Sequence, residues 1–291
     1  MAVWEPINGV YMATTPFLAS MGWLGDWANS PLSSAVIGGM IGAGFGAWAA
    51  GWIAKRSKLY DSINEEIRSN NLAMLLAQQT FHLTLALKAD AVKPITDSYD
   101  KARSEYLDPS GGAISEEQSL QKVSPVNPPL DALRTIALER LTLPGSATRA
   151  VLQVVESINN LNRALTVRND LTDVFLHNQF PSGMDFPHMY FGIPKDGSCH
   201  AGYRDCMKNM TRYADEALFF SKTLCEMLNE HGVHLRKERK KVARGRVSIM
   251  RFRLADNIPE GIIPDAKIYS AWFAGYELQT NHKRRWSWGK N

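Results

Sequence analysis

Cysteine and histidine are the residues of this sequence whose chemistry is most specific. The candidate metal ligands are Cys199, His200, Cys206, Cys225, His231 and His234. Their spacing matches neither paired C-x-x-C nor H-E-x-x-H, and structural metal sites need four organised ligands. We therefore expect no metal site and no cofactor. Cys206 and Cys225 are interpreted as buried helix thiols, and the histidines as polar surface residues.

A nucleophile beside a base is the second chemistry to consider, because Cys199 directly precedes His200. Neighbouring residues on a loop seldom face each other, and the partners of a catalytic triad are normally distant in sequence. The chain also lacks a P-loop, a G-x-G-x-x-G turn and a G-x-S-x-G elbow. We assign no catalytic residue and rank an enzyme last among the function classes.

The strongest charge pattern is the stretch 234–253, which holds nine basic residues and one acidic residue. Such a density indicates an anionic partner, either lipid headgroups or nucleic-acid phosphates. A solvated helix end, where Lys and Arg favour the helix dipole, is the alternative. The same ambiguity applies to the basic, tryptophan-containing tail 283–288. The predicted anion-binding residues are Arg236, Lys237, Arg239, Lys240, Lys241, Arg244 and Arg246.

The element that would position this basic region at a bilayer is the uncharged stretch 35–54, AVIGGMIGAGFGAWAAGWIA. About 20 apolar residues are enough to cross a hydrocarbon core of ~30 Å. A buried helix in a soluble protein is the alternative. However, each interior glycine costs such a helix roughly 0.8–1 kcal/mol relative to alanine. A bilayer enforces the helix and tolerates glycine, so we predict a transmembrane helix.

The small residues of this stretch follow the helix period in two adjacent rows. They are Gly38, Gly42, Gly46 and Ala50 in one row, with Gly39, Ala43 and Ala47 in the other. Such a face lets a second helix backbone approach closely. We therefore predict a homo-oligomer formed by association of these helices in the bilayer.

Positive charges follow the apolar stretch at once, at Lys55, Arg56 and Lys58. By the positive-inside rule the C-terminal side faces the cytoplasm, which predicts an inner-membrane protein with most of its chain cytoplasmic. Free cysteines agree with that compartment. Residues 1–34 form an external or interfacial segment, or a second span over residues 6–25.

The sequence as a whole predicts a mainly α fold. An N-terminal transmembrane helix is followed by a cytoplasmic helical domain with a small mixed C-terminal part. A juxtamembrane helical region, 55–107, contains a buried core helix at 69–87 and a kink at Pro94. A linker rich in Pro, Gly and Ser occupies 108–130, and the helical domain occupies 131–291. Within it we expect helices at about 130–143, 146–178 and 203–241, and a strand at 247–254.

The stretch SAVIGGMIGAGFGAWAAGWIAKRSKLYDSINEEIRSNN resembles the start of uncharacterised bacterial membrane-anchored proteins. It also resembles transmembrane effectors of phage-defence systems, including those of retrons. This resemblance implies an effector whose small-residue helices associate and perturb the inner membrane when the helical domain is triggered. The alternative is a membrane-tethered adaptor that binds a protein or nucleic acid through its basic region.

Overall fold

A computed structural model describes residues 4–7, 10–13, 31–108, 120–243, 245–254, 258–259 and 261–277. The described chain is mainly helical, as predicted. Its elements are strands β1 (Trp4–Ile7) and β2 (Val10–Ala13), helices α1 (Pro31–Leu87), α2 (Lys93–Leu107), α3 (Leu130–Glu139), α4 (Gly145–Leu176), α5 (Phe186–Phe191), α6 (Gly202–Val242) and α7 (Ser270–Glu277), a π-helical turn (Lys88–Val92) and a 3₁₀ turn (Ala266–Tyr269). The chain divides into two compact units, residues 1–61 and 62–291.

The first unit contains a two-stranded antiparallel hairpin, in which β1 pairs with β2 so that Trp4 lies opposite Ala13. Residues 4–7 and 10–13 are therefore strands and do not belong to a helical span over 6–25; residues 14–30 lie outside the described residues. Residues 35–54 lie in α1, so their predicted helical conformation is confirmed. Among the described residues, no helix combines the length and the apolar character needed to cross a membrane.

The described side chains of α1 in the first unit are largely exposed. Trp48, Trp52 and Ile53 are 69%, 53% and 61% exposed. The guanidinium carbon of Arg56 lies 5.2 Å from the centre of the Trp52 ring, a cation–π contact. Space is open beside Gly44, Gly46 and Gly51, where an added Cβ would meet nothing within 4 Å.

The second unit has a core of long helices, in which the predicted buried helix at 69–87 is confirmed. Ala73, Met74 and Ala77 are fully buried, and Phe81 is nearly so. They pack with α3, the first half of α4 and the middle of α6. A second cluster, rich in tyrosine and phenylalanine, joins α2, α5, the second half of α4 and the first half of α6. Both predicted long helices, α4 and α6, are confirmed within a few residues.

A π-helical turn, Lys88–Val92, separates α1 from α2 just before Pro94. Proline has no backbone N–H, and its ring clashes with the carbonyl four residues earlier in an α-helix. The wider turn, in which the N–H of Lys93 donates to the carbonyl of Lys88, accommodates that defect. The interruption predicted at Pro94 is therefore present as a π turn.

Two segments that are neither helix nor strand pack on the helices. The described end of the predicted linker, residues 120–129, buries Val123 and is not a free connection. Asn169 both donates to and accepts from the backbone of Val123, and Asn162 does the same with Val126. The segment 245–254, which we call the strap, is held in the same way. Its predicted strand at 247–254 is wrong: the strap is not a strand, and among the described residues its backbone bonds to side-chain amides of the helices.

Candidate anion-docking surface

Helix α6 carries the basic run because its sequence is amphipathic up to the last turns. Leu224, Leu228 and Leu235 bury one face, and the acidic residue of the first turn, Asp205, suits the positive end of the helix dipole. The last turn holds Arg239, Lys240 and Lys241, whose positive charges suit the negative end. Helix ends of this kind expose a cluster of positive charge.

The strap then runs back antiparallel along α6. Nη1 of Arg239 donates to the carbonyl of Gly245 at 3.1 Å, and Asn229, further back on α6, bonds the backbone of Phe252. The fold therefore places the arginines of the strap beside those of the helix. We call the combined set the basic surface; its exposed members are Arg236, Lys237, Lys240, Lys241, Arg246, Arg251 and Arg253.

The strap arginines extend the surface to both sides of α6. Lys237 lines one cavity, of about 570 Å³, together with Arg251 and Arg253. Arg236 and Lys240 line another, of about 200 Å³, with Arg246. The run of charge in the sequence thus becomes a broad patch. Arg251 and Arg253 were not predicted as site residues; their alternation with buried Phe252 was the available signal.

Acidic side chains on this surface are few. Lys241 donates to Glu238 at 2.7 Å, and this hydrogen bond lowers the pKa of the Glu238 carboxyl. Glu230 lies in the wall of the larger cavity. The remaining lysines and arginines outnumber these carboxylates, so the surface is suited to an anion.

Arg239 differs from its neighbours because it is buried, with 8% of its surface exposed. Its Nε donates to Oδ1 of Asn64 at 2.7 Å, and its Nη1 is engaged by Gly245. Arg239 is a predicted anion-binding residue, but its guanidinium is buried and joins the start of the second unit to the turn after α6. Arg244 and the tail 283–288 lie outside the described residues.

The predicted helix-association residues are only partly described. Ala43, Gly46, Ala47 and Ala50 are exposed on α1. The surroundings of Gly38, Gly39 and Gly42 lie outside the described side chains. The structure thus leaves the C-terminal half of the predicted face accessible, while association itself stays a prediction.

The described cysteines and histidines lie in separate environments. Cys206 and Cys225 are buried, as predicted, and burial raises the pKa of both thiols, that of Cys225 to about 12. The exposed Cys199 directs its sulfur to the carbonyl of Gly192 at 3.5 Å. In the described part of the chain, no three His, Cys, Asp or Glu side chains converge as metal ligands.

His231 departs from its expected surface role, since only 9% of its side chain is exposed. Its Nε2 lies 3.2 Å from Oε1 of Glu66, which also accepts from the backbone N–H of Thr142. Burial lowers the pKa of His231, and the charge of Glu66 opposes that shift. The unfolded state therefore binds more protons than the folded state as the pH falls below about 6.5.

We expect the free energy of unfolding to fall between pH 7.5 and pH 5.5, and His231→Gln to make that fall smaller. The sign follows because a lowered histidine pKa contributes stability above its unfolded value and loses it on acidification. Urea unfolding at the two pH values measures the slope. The exposed His177→Gln is the control; an equal change of slope in both variants would contradict the assignment.

Comparison with protein-family models, curated proteins and solved structures finds no match for this chain. The basic surface must therefore be interpreted from its own geometry.

Proposed function

We propose that this chain is a membrane-associated protein whose helical unit docks on anionic lipid headgroups through the basic surface. The observation that carries the proposal is the return of the strap along α6, which joins Arg246, Arg251 and Arg253 to the exposed basic end of the helix. Residues 35–54 are the segment proposed to enter the bilayer of an inner membrane, with the helical unit on the cytoplasmic side.

The positions of the aromatic side chains favour lipid over single-stranded nucleic acid as the partner. Binding of single strands combines basic grooves with exposed aromatic rings on which bases stack. Phe252 is the one aromatic residue of residues 235–254, and it is buried against Phe81. In the first unit, by contrast, Trp48 and Trp52 are exposed on α1, and tryptophan beside Arg56 is typical of a membrane interface.

The test is binding of the full chain to vesicles of phosphatidylglycerol and of phosphatidylcholine. Any apolar insertion contributes to both, so the difference between the two lipids isolates the basic surface. Each Lys or Arg near an anionic surface contributes about 1 kcal/mol. We therefore expect Arg236→Gln with Lys237→Gln and Lys240→Gln to weaken binding to phosphatidylglycerol roughly 100-fold at low salt, and less as salt rises.

A matched control removes three exposed arginines elsewhere, Arg134, Arg140 and Arg163, and should leave binding nearly unchanged. An equal loss of vesicle binding in both triple variants would mean that net charge, and not the basic surface, determines the affinity. Salt-dependent binding to poly(U) without any preference for anionic vesicles would replace lipid by nucleic acid as the partner. Arg239 stays intact in every variant because it holds the fold.

A second candidate function is the membrane-perturbing effector, in which α1 helices associate through their small-residue face. The supporting observation is the open space beside Gly46 and Gly51, together with the exposed Ile53. The same vesicles, loaded with a self-quenching dye, separate the two functions. Dye release that accompanies binding supports the effector, whereas binding to intact vesicles supports an adaptor.

A further inference from the structure

A cavity of about 480 Å³ lies between α2 and α6, away from the basic surface. One wall is the face of α2 that carries Tyr99 and Arg103, and the other is the first half of α6. The 3₁₀ turn closes one end through Tyr269, whose ring stacks on Phe219 with centroids 3.9 Å apart. Its volume is in the range of small-molecule sites.

Four basic side chains line this cavity: Arg103, Arg204, Lys208 and Arg212. Arg204 and Arg212 are held through Nε by Asp205 and Glu216, at 3.2 and 3.1 Å. Arg103 and Lys208 belong to no ion pair within the described residues. Nε of Arg103 is buried and has no hydrogen-bond partner there. The protein therefore does not hold the Arg103 guanidinium through Nε, as it holds those of Arg204 and Arg212.

The acidic residues of the cavity do not neutralise these groups. Asp215 is paired with the buried Lys88, and Asp100 is exposed on α2. Two of the four basic groups, Arg103 and Arg204, act electrostatically on the Tyr99 hydroxyl in the wall of the cavity. Burial raises the pKa of this hydroxyl above its ordinary value, and the charges of Arg103 and Arg204 are the two largest influences that oppose the rise.

The floor of the cavity is fixed by hydrogen bonds. The hydroxyl of Tyr99 donates to the carbonyl of Tyr190 at 3.2 Å, and Thr96 and Thr211 join the two helices through their hydroxyls at 3.2 Å. A floor held in this way keeps helices α2 and α6 at a constant separation. Such pre-organisation lowers the entropic cost of binding.

We propose that this cavity binds a phosphate-bearing small molecule, with Arg103 and Lys208 contacting phosphate oxygens. A guanidinium presents a fork of donors that matches phosphate geometry, and a lysine adds a mobile point charge. Arg204 and Arg212 line the same cavity and are partly neutralised by their carboxylate partners. They extend the positive field around the bound phosphate. The site is distinct from the basic surface, so its existence does not depend on the proposed membrane function.

Isothermal titration calorimetry of the full chain with inorganic pyrophosphate at low ionic strength tests the site. We expect saturable one-to-one binding in the unaltered chain. Arg103→Gln with Lys208→Gln should weaken it at least tenfold, whereas Arg134→Gln with Arg163→Gln should change it less than twofold. Lys208→Arg, which keeps the charge, should retain binding.

A second measurement uses the unaltered chain, so no folding defect of a variant can affect it. It asks whether bound pyrophosphate protects Lys208 from chemical modification. Pyrophosphate should slow acetylation of Lys208 by an N-hydroxysuccinimide ester, relative to the exposed Lys101, as measured by mass spectrometry. Absence of saturable binding overturns the proposal. So does binding without protection of Lys208, or an equal loss of affinity in the Arg134/Arg163 control variant.

Discussion

Replacing Lys88 with alanine is expected to lower the free energy of unfolding by about 3–5 kcal/mol, because it removes one partner of a buried ion pair. The Lys88 side chain is 6% exposed, and its ammonium group donates to the carboxylate of Asp215 and to the carbonyl of Ile262. Without it, the carbonyl of the buried Ile262 loses its donor, and the partly buried carboxylate of Asp215 loses its charge partner. Urea unfolding followed by circular dichroism measures the loss.

The matched control is Lys93→Ala, which breaks the nearby exposed pair with Asp97. Exposed pairs contribute only about 0–1 kcal/mol, so this variant should remain close to the unaltered chain. Lys88→Met keeps most of the side-chain volume. It should still show most of the loss in free energy of unfolding that is expected for Lys88→Ala. Adding Asp215→Leu to Lys88→Met should recover part of it, because neither charge is then left unpaired. A Lys88→Met protein as stable as the unaltered chain would refute the role of this pair.

The region around Lys88 shows how far sequence patterns extend. A break at Pro94 could be predicted because proline lacks an N–H. The π turn could not, since whether a helix kinks or widens depends on what packs against it. Here Leu85 and Ala89 contact one core cluster while Leu87 and Ala91 contact the other. The lysine itself carries no periodic signal that separates a buried charge from an exposed one.

The basic region shows a similar limit. The density of charge in 234–253 predicted an anion-binding surface from composition alone. Composition could not indicate that Arg239 is buried on Asn64, because its neighbours in the sequence have the same chemistry. It also could not indicate the return of the strap. That return is held by side chains such as Asn229, a half-buried amide on α6 that no charge pattern marks.

The strap shows why a residue pattern typical of strands led to a wrong prediction. Its alternation of apolar and basic residues predicted a strand, but residues 247–254 form no strand. The pattern does not specify which groups satisfy the hydrogen bonds. In this fold Asn71, Asn229 and Gln78 take the place of a neighbouring strand. The amides Asn71 and Gln78 within the uncharged helix at 69–87 were the available signal, and both are half-buried beside the strap.

The second large effect is therefore expected from removing the amides that hold the strap. Asn71 donates to the carbonyl of Ser248 at 3.1 Å and accepts from the N–H of Met250 at 2.9 Å. Asn229 donates to the carbonyl of Phe252 at 3.1 Å and accepts from its N–H at 3.2 Å. A hydrogen bond contributes about 1 kcal/mol net, so Asn71→Ala with Asn229→Ala should favour local opening by about 4 kcal/mol. Hydrogen exchange of residues 247–253 should then accelerate on the order of 100- to 1,000-fold, and trypsin should cut after Arg251.

The chain contains its own control for this experiment, because Asn162 and Asn169 hold Val123 and Val126 by the same number of bonds. Alanine at these two positions should accelerate exchange in 120–126 and leave the strap protected, while the first variant should do the reverse. Faster exchange in both segments with either variant would mean global unfolding and would contradict local clamping.

Because the strap supplies Arg246, Arg251 and Arg253 to the basic surface, its release should also weaken binding to phosphatidylglycerol vesicles. The Asn162/Asn169 variant should bind them normally, which connects the amide contacts to the proposed docking and separates that connection from loss of stability.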